Sequence, residues 1–315
     1  MSHQLTTTQQ ALTSTTYDAE RLIALFTADC DVNATSRKGY GRALRQYFNW
    51  IDQNGLQLTD VARTEILRYK DELQEAGRSS LTISAYLNSV RRFYDWAEAN
   101  KYYPNVAKGI RSPKRKQAYR KQPLRPQQAQ ELLQYCATTL PARDYAIVNL
   151  LIRTGLRTIE AVRANVGDLT YKGGQRVLLV HGKGRSEKDS FVVLTEKAYK
   201  PIHDYLQATR KATKPEEPLF TSTSNNSKNE RLTTRTISQI AKDSLRAIGL
   251  DEKAYTAHSL RHTTAVNILR AGGSIETAQL TLRHSNPATT QIYTTTLDEE
   301  RRLSNSGEAL LDSLY

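Results

Sequence analysis

The 315 residues include only two cysteines, Cys30 and Cys136, and no uncharged apolar run near the roughly 20 residues that a bilayer-spanning helix needs. Two cysteines exclude a disulfide framework and a four-cysteine zinc site. The longest apolar run, residues 146–152, reads as part of a buried helix. The N-terminus carries no basic segment followed by an apolar one, so no secretory leader is expected. Phosphate-cradling loops are missing as well. Gly182-Lys183-Gly184 has neither the upstream spacing nor the following Ser/Thr of a Walker A loop, and no G-x-G-x-x-G follows a strand. His258 and His262 stand four apart on an expected helix, but a zincin needs Glu at 259, where Ser stands, and no Asp or Glu lies between 258 and 275. No metal site and no cofactor are expected.

What remains is a surplus of positive charge. Forty-five Lys and Arg against 32 Asp and Glu leave +13, which favours a polyanionic partner, nucleic acid before an acidic membrane. The expected setting is reduced and cytoplasmic, beside the nucleoid, with no membrane partner.

The length implies more than one domain. Residues 1–16 hold eight Ser/Thr and no Lys or Arg, and read as a flexible tail. From 17 to 107 the pattern is helical. Tyr40, Leu44, Tyr47, Phe48 and Ile51 form one stripe; Ile83, Leu87, Val90, Tyr94 and Ala97 form another behind the candidate caps Ser79 and Ser80. Ile66, Tyr69 and Leu73 suggest a further helix closed by Gly77, and 22–26 a short first one. Arg91 and Arg92 on the second stripe's helix are candidate DNA contacts.

Residues 108–125 break the period with prolines at 113 and 123, eight basic residues and no acidic one. Lys108, Arg111, Lys114, Arg115, Lys116, Arg120, Lys121 and Arg125 make this either a solvated linker or, the favoured reading, an extended strap along a phosphate backbone. From 126 to 297 the chain is mainly helical around one small antiparallel sheet. Pro126 and Pro141 sit where helices would begin, and Gly155 where the second would end. Strand signals lie at 176–181 and 190–194 around a Gly-rich turn, with a third near 166–171. Helices are expected at 195–208, 233–248 and 259–271. The 233–248 segment reads mainly as core, with Arg231 and Arg235 able to touch DNA. Residues 298–315, with Leu303, Leu310, Leu311 and Leu314, read as a C-terminal tail or amphipathic helix for contacts between protomers.

Five short motifs recur in one order: Thr154-Gly155-Leu156-Arg157-Thr158-Ile159-Glu160, the hairpin lysine Lys183, His258-Ser259-Leu260-Arg261-His262, Leu282-Arg283-His284-Ser285, and Tyr293 nine residues after His284. Singly each is ordinary. Together they resemble the tyrosine recombinase family of phage integrases and Xer-type recombinases. The resemblance implies a helical core-binding, SAM-like domain and an α+β catalytic domain with a small antiparallel sheet. It implies a nucleophilic Tyr293, Arg157 and Arg261 on the scissile phosphate, His284 donating to the same oxygens, His258 as proton acceptor, and Lys183 as general acid. Glu160 and Asp168 match the acidic positions that support the first arginine's motif. His262 is expected to pack or hydrogen-bond within the fold.

Physical chemistry suits those roles. A tyrosine hydroxyl, with an ordinary pKa near 10, attacks poorly at neutral pH unless the developing charge is stabilised. Guanidinium fits the planar, bidentate task. The implied reaction is site-specific DNA cleavage and rejoining through a 3′-phosphotyrosyl link, without ATP. The implied partners are duplex DNA with core sites, a homotetramer on paired sites, and accessory DNA-bending proteins. Rival readings are a type IB topoisomerase and a non-catalytic DNA-binding regulator. In two places the chain departs from the family: Arg283 replaces the usual Gly and Thr295 the usual His. The first implies either an altered backbone turn before His284 or an added phosphate contact.

Overall fold

The structure is a computed structural model of the chain and describes residues 18–114, 121–181, 187–209, 214–284, 288–304, 306–312 and 314. The expected tail at 1–16, and Arg115, Lys116, Arg120 and Lys183, lie outside the described residues. The chain divides into two compact units, Met1–Ala118 and Tyr119–Tyr315.

The first unit is helical: α1 (Ala19–Asp29), α2 (Ala34–Gln53), α3 (Arg63–Glu75) and α4 (Ser80–Ala99). Short polar side chains set the starts. Asp18 accepts the Arg21 N–H at 3.0 Å, Asn33 that of Ser36 at 2.9 Å and Ser79 that of Thr82 at 3.1 Å, each satisfying a donor the helix leaves unpaired. The two expected stripes face inward on α2 and α4, where Leu44, Tyr47, Phe48, Ile51, Ile83, Leu87, Val90 and Tyr94 are buried with Phe26, Tyr69 and Phe93. Phe93 meets Phe48 edge to face, with centroids 5.4 Å apart. Tyr47 and Tyr94 bring their hydroxyls to 2.9 Å, so neither polar tip enters the core without a partner.

The second unit is built around α6 (Ala142–Thr154), which follows α5 (Pro126–Thr139). Residues 146–151 of α6 are buried on every side, and α6 packs against α5, α8 (Glu196–Thr209) and α10 (Ala257–Arg270). Pro141 occupies the N-cap, one residue before the expected position. Between these helices come the short α7 (Thr158–Arg163) and a sheet of β1 (Leu169–Lys172), β2 (Gln175–Val180) and β3 (Ser190–Val193), antiparallel in that order. Leu178 pairs with Leu169 on one side and Val192 on the other. The expected third strand begins late because Val166–Asp168 closes into a 3₁₀ turn, the Asp168 carboxylate accepting the Asn165 N–H at 2.6 Å.

The unit continues through α9 (Thr234–Ala247), α11 (Ile275–Leu282), α12 (Ala288–Ser304) and α13 (Gly307–Asp312). Helix α12 runs through the expected division at 297/298, held there by Glu300, whose carboxylate takes two hydrogen bonds from Arg270 of α10 at 2.7 and 2.8 Å. Both ends of the 108–125 segment are built into the units. Ile110 is buried with the first core and Leu124 with the second, and the Leu124 N–H donates to Thr263 at 2.8 Å. No helix among the described residues is long and apolar enough to cross a membrane.

Candidate active site

Gly155 ends α6 in the left-handed conformation, φ 63°. It is needed twice over: a Cβ there would also collide with the Leu282 side chain at the end of α11. This close approach carries the chain directly into Arg157, the N-cap of α7. Glu160 then reaches back with both oxygens. Oε2 accepts the Arg157 N–H at 2.8 Å and Oε1 its Nη1 at 2.8 Å, closing the first turn of α7 and fixing the guanidinium.

Arg261 comes from α10, which packs on α6, α11 and α12. Its buried guanidinium donates to the carbonyls of Gly155 and Leu282, so one side chain joins the ends of α6 and α11. Burial, followed by the Arg157 charge, pulls its pKa down to about 10, which still leaves it cationic at neutral pH. Arg157, Arg261 and His258 line one cleft of about 600 Å³, together with Arg235, Gln239 and Lys242 of α9. Among the described residues, no acidic side chain lines it.

Tyr293, on α12, is 7% exposed, and its ring contacts those of His262, 4.8 Å away between centroids, and His284, 6.1 Å away and nearly parallel. Burial raises its hydroxyl pKa, and the charges of Arg261 and Arg157 act against that rise. His284 is driven to about 4, first by burial and then by Arg261 and Arg157, so at neutral pH it is an uncharged imidazole. His258 is exposed, yet the surrounding protein desolvates it, and with Arg261, Arg157 and Lys121 lowers its pKa. His262 hydrogen-bonds within the fold, as expected: its Nδ1 lies 2.6 Å from the Lys121 carbonyl.

Five of the six expected catalytic residues thus belong to one neighbourhood of the second unit. Lys183 lies outside the described residues; Lys188, in the same connection and just before β3, brings its Nζ to the Asp168 carboxylate at 2.6 and 2.7 Å. Nothing in the sequence marks Lys188 for that contact.

The basic residues assigned to DNA separate into two groups. Arg91 donates to the Ile110 carbonyl at 2.6 Å, and Arg231 to the carbonyls of Val162 and Ala164 at 2.7 and 3.1 Å and to Asn165 at 2.7 Å. Both brace the fold. Lys121 donates to the Lys253 carbonyl at 2.8 Å. Lys108, Arg111, Lys114, Arg92 and Arg235 are exposed.

The profile of the phage integrase family matches residues 122–300, and that of the phage integrase N-terminal SAM-like domain matches 21–101. The chain belongs to the phage integrase family. As a tyrosine recombinase it resembles proteins so named from two bacteria. One, from Pseudothermotoga lettingae, is 30% identical over 82% of this chain and 86% of its own length. The other, from Synechococcus elongatus, is 33% identical over 82% of this chain and 83% of its own. Among solved structures, the recombinase shares its fold with XerH bound to a palindromic difH substrate (TM-score 0.73, 17% identity, 93% of this chain and 85% of that one). It also shares it with a lambda integrase dimer bound to a core site (TM-score 0.66, 17% identity, 87% and 76%). These relatives favour a site-specific recombinase over the topoisomerase and regulator readings.

Geometry sets aside both readings of Arg283, the altered turn and the added phosphate contact. The turn is kept, because Arg283 adopts the left-handed conformation itself, φ 54°, and the His284 N–H still closes on the Gln279 carbonyl at 3.1 Å. Its side chain is folded inward, 11% exposed, and donates to Glu160 at 2.8 Å.

Proposed function

We propose that this recombinase breaks and rejoins duplex DNA at specific core sites through a 3′-phosphotyrosyl intermediate on Tyr293. The observation that carries the reading is the gathering of Arg157, Arg261, His284 and Tyr293 from the N-cap of α7, α10, the end of α11 and α12.

The Tyr293 oxygen attacks the scissile phosphorus as its proton passes to His258, whose lowered pKa leaves it unprotonated and able to accept at neutral pH. Charge building on the non-bridging oxygens is met by Arg157 and by the Arg261 N–H donors that its two carbonyl bonds leave over. Neutral His284 donates one further hydrogen bond. Lys183 supplies the proton that the departing 5′ oxygen takes up. The phosphodiester energy stays in the tyrosyl link, so a 5′ hydroxyl from another strand reseals it without ATP. The arginines neutralise the charge that Mg²⁺ handles in other phosphoryl-transfer sites, so no metal is invoked. Exposed Lys108, Arg111, Arg92 and Arg235, with Lys114, Arg115, Lys116, Arg120 and Lys121, supply sequence-independent phosphate contacts. Arg91 and Arg231 join them only where the donors that the fold leaves over reach the backbone.

Strand exchange requires a homotetramer on paired sites, with residues 298–315 contributing to contacts between protomers and accessory DNA-bending proteins shaping the complex. The expected compartment is the cytoplasm, alongside the nucleoid.

The test is trapping. A core site selected by the protein from a random duplex pool is nicked beside the cleavage point, so that the cleaved fragment diffuses away. Wild-type protein should accumulate a covalent adduct that resists denaturation, and Tyr293→Phe should bind with similar affinity and form none. An undiminished adduct in that variant would overturn the assignment.

A further inference from the structure

Arg283 is out of place by two local criteria. It holds a left-handed backbone conformation that a side chain with a Cβ populates reluctantly, and it buries a guanidinium. What it gains is specific. Nη1 closes onto the Thr281 carbonyl at 2.8 Å, and Nη2 meets Glu160 Oε2 at 2.8 Å across 123 residues of sequence. That oxygen also accepts the Arg157 N–H, while the other carries the Arg157 guanidinium. Glu160 is 5% exposed. Burial alone would raise its pKa, but Arg283 and then Arg157 outweigh burial and hold it below the ordinary carboxylate range, ionised between two cations.

With Arg157 alone, this carboxylate would keep its oxygens on the backbone and side chain of a single residue. Arg283 adds a second anchor from another element, one residue before His284. The Arg157 and His284 segments are thereby joined side chain to side chain, in addition to the Arg261 bonds that join the backbones beside them. A misplacement of an ångström at a catalytic group costs up to about a hundredfold in rate, so such a joint has kinetic consequences.

We propose that Arg283 is a positioning residue, which through Glu160 fixes the Arg157 guanidinium and locks the turn carrying His284 to it. The inference rests on the assignment of Arg157 and His284 to the scissile phosphate.

The test uses full-length protein pre-bound at saturation to the nicked duplex, reading the single-turnover rate of adduct formation, the half-saturating protein concentration and the thermal midpoint. Arg283→Gly suits the left-handed turn and should retain its fold. Its adduct rate should fall about tenfold with half-saturation within about twofold of wild type, which a merely structural residue would not produce. Arg283→Lys, which retains one donor for Glu160, should recover part of the loss. In a Glu160→Gln background, Arg283→Gly should cost less than about twofold, because the route through Glu160 is already weakened. Wild-type rates in Arg283→Gly, or losses that multiply in the double variant, would overturn the positioning role. Adduct formation by wild type and its loss in Arg157→Ala, read on the same gel, report separately on the underlying assignment. If wild type forms the adduct and Arg157→Ala does not, a normal Arg283→Gly rejects this proposal alone.

Discussion

The two units keep their shape by different means. In the first, large rings do the work: Phe26, Phe48, Phe93, Tyr47, Tyr69 and Tyr94 fill a space among helices whose ends are capped by their own neighbours in sequence. In the second, an aliphatic core surrounds α6, and the ends of elements are held by buried polar joints spanning long stretches of chain. Examples are Arg261 to Gly155 and Leu282, Thr264 to Ile152, and Arg283 to Glu160. The contrast teaches where precision is located. Apolar packing fixes a unit's existence and tolerates small shifts, whereas charged and hydrogen-bonded joints are directional and fix where a catalytic group points.

The strongest challenge to this contrast is Phe93→Ala. Truncating a fully buried ring in contact with Phe26, Phe48 and Tyr94 should cost about 3–5 kcal/mol. Both tryptophans, Trp50 and Trp96, belong to the first unit, so the loss should appear as an earlier denaturant transition in tryptophan fluorescence. Next comes Gly155→Ala, which combines a left-handed backbone with a collision against Leu282 and should cost about 2–4 kcal/mol. That loss should show in far-ultraviolet circular dichroism while the fluorescence transition stays near wild type. A fluorescence shift as large as the dichroism shift would break the division. Asn149→Ala should cost about 1–3 kcal/mol by the same readout, since Asn149 donates to the Lys197 carbonyl at 2.9 Å from inside α6 and accepts from Arg153 at 2.8 Å.

The smallest expected effect depends on pH. His284 titrates near 4 in the folded chain and near 6.5 when unfolded, so below about 6.5 the unfolded state binds more protons. Stability should therefore decline as pH falls from about 6.5 towards 4, and His258, shifted in the same direction, adds to the slope. His284→Gln should lose part of the difference between thermal midpoints at pH 7.5 and pH 5. An unchanged difference would mean that His284 is as easily protonated in the fold as outside it.

Much of the candidate site was legible beforehand because the expected chemistry needs particular side chains at particular local spacings. Gly155 and Arg157 flank a helix end, His258 and Arg261 share a helix face, and such relations survive in sequence. The helical stripes on α2 and α4 were legible for a similar reason: periodicity is a local property. What escaped was long-range and polar. Arg91 and Arg231 look like any surface arginine in a basic chain, and only the packed structure reveals the carbonyls they satisfy. The 3₁₀ turn before β1 escaped because Asn165 and Asp168 bond each other twice while the Val166 and Gly167 N–H groups donate to the distant Glu217 and Pro215 carbonyls, against the strand propensity of Val166. Arg283 was visible as a departure, but its bond to Glu160 escaped, since that partner lies 123 positions away.

Arg261 has a consequence for reading any mutational record of this enzyme. The atoms expected to oppose the phosphate's charge also fasten two helix ends together, so selection for turnover and selection for shape act on the same side chain. Loss of activity on replacing it would report a fallen arch as readily as a missing cation, while a lysine there would keep the charge and drop the span.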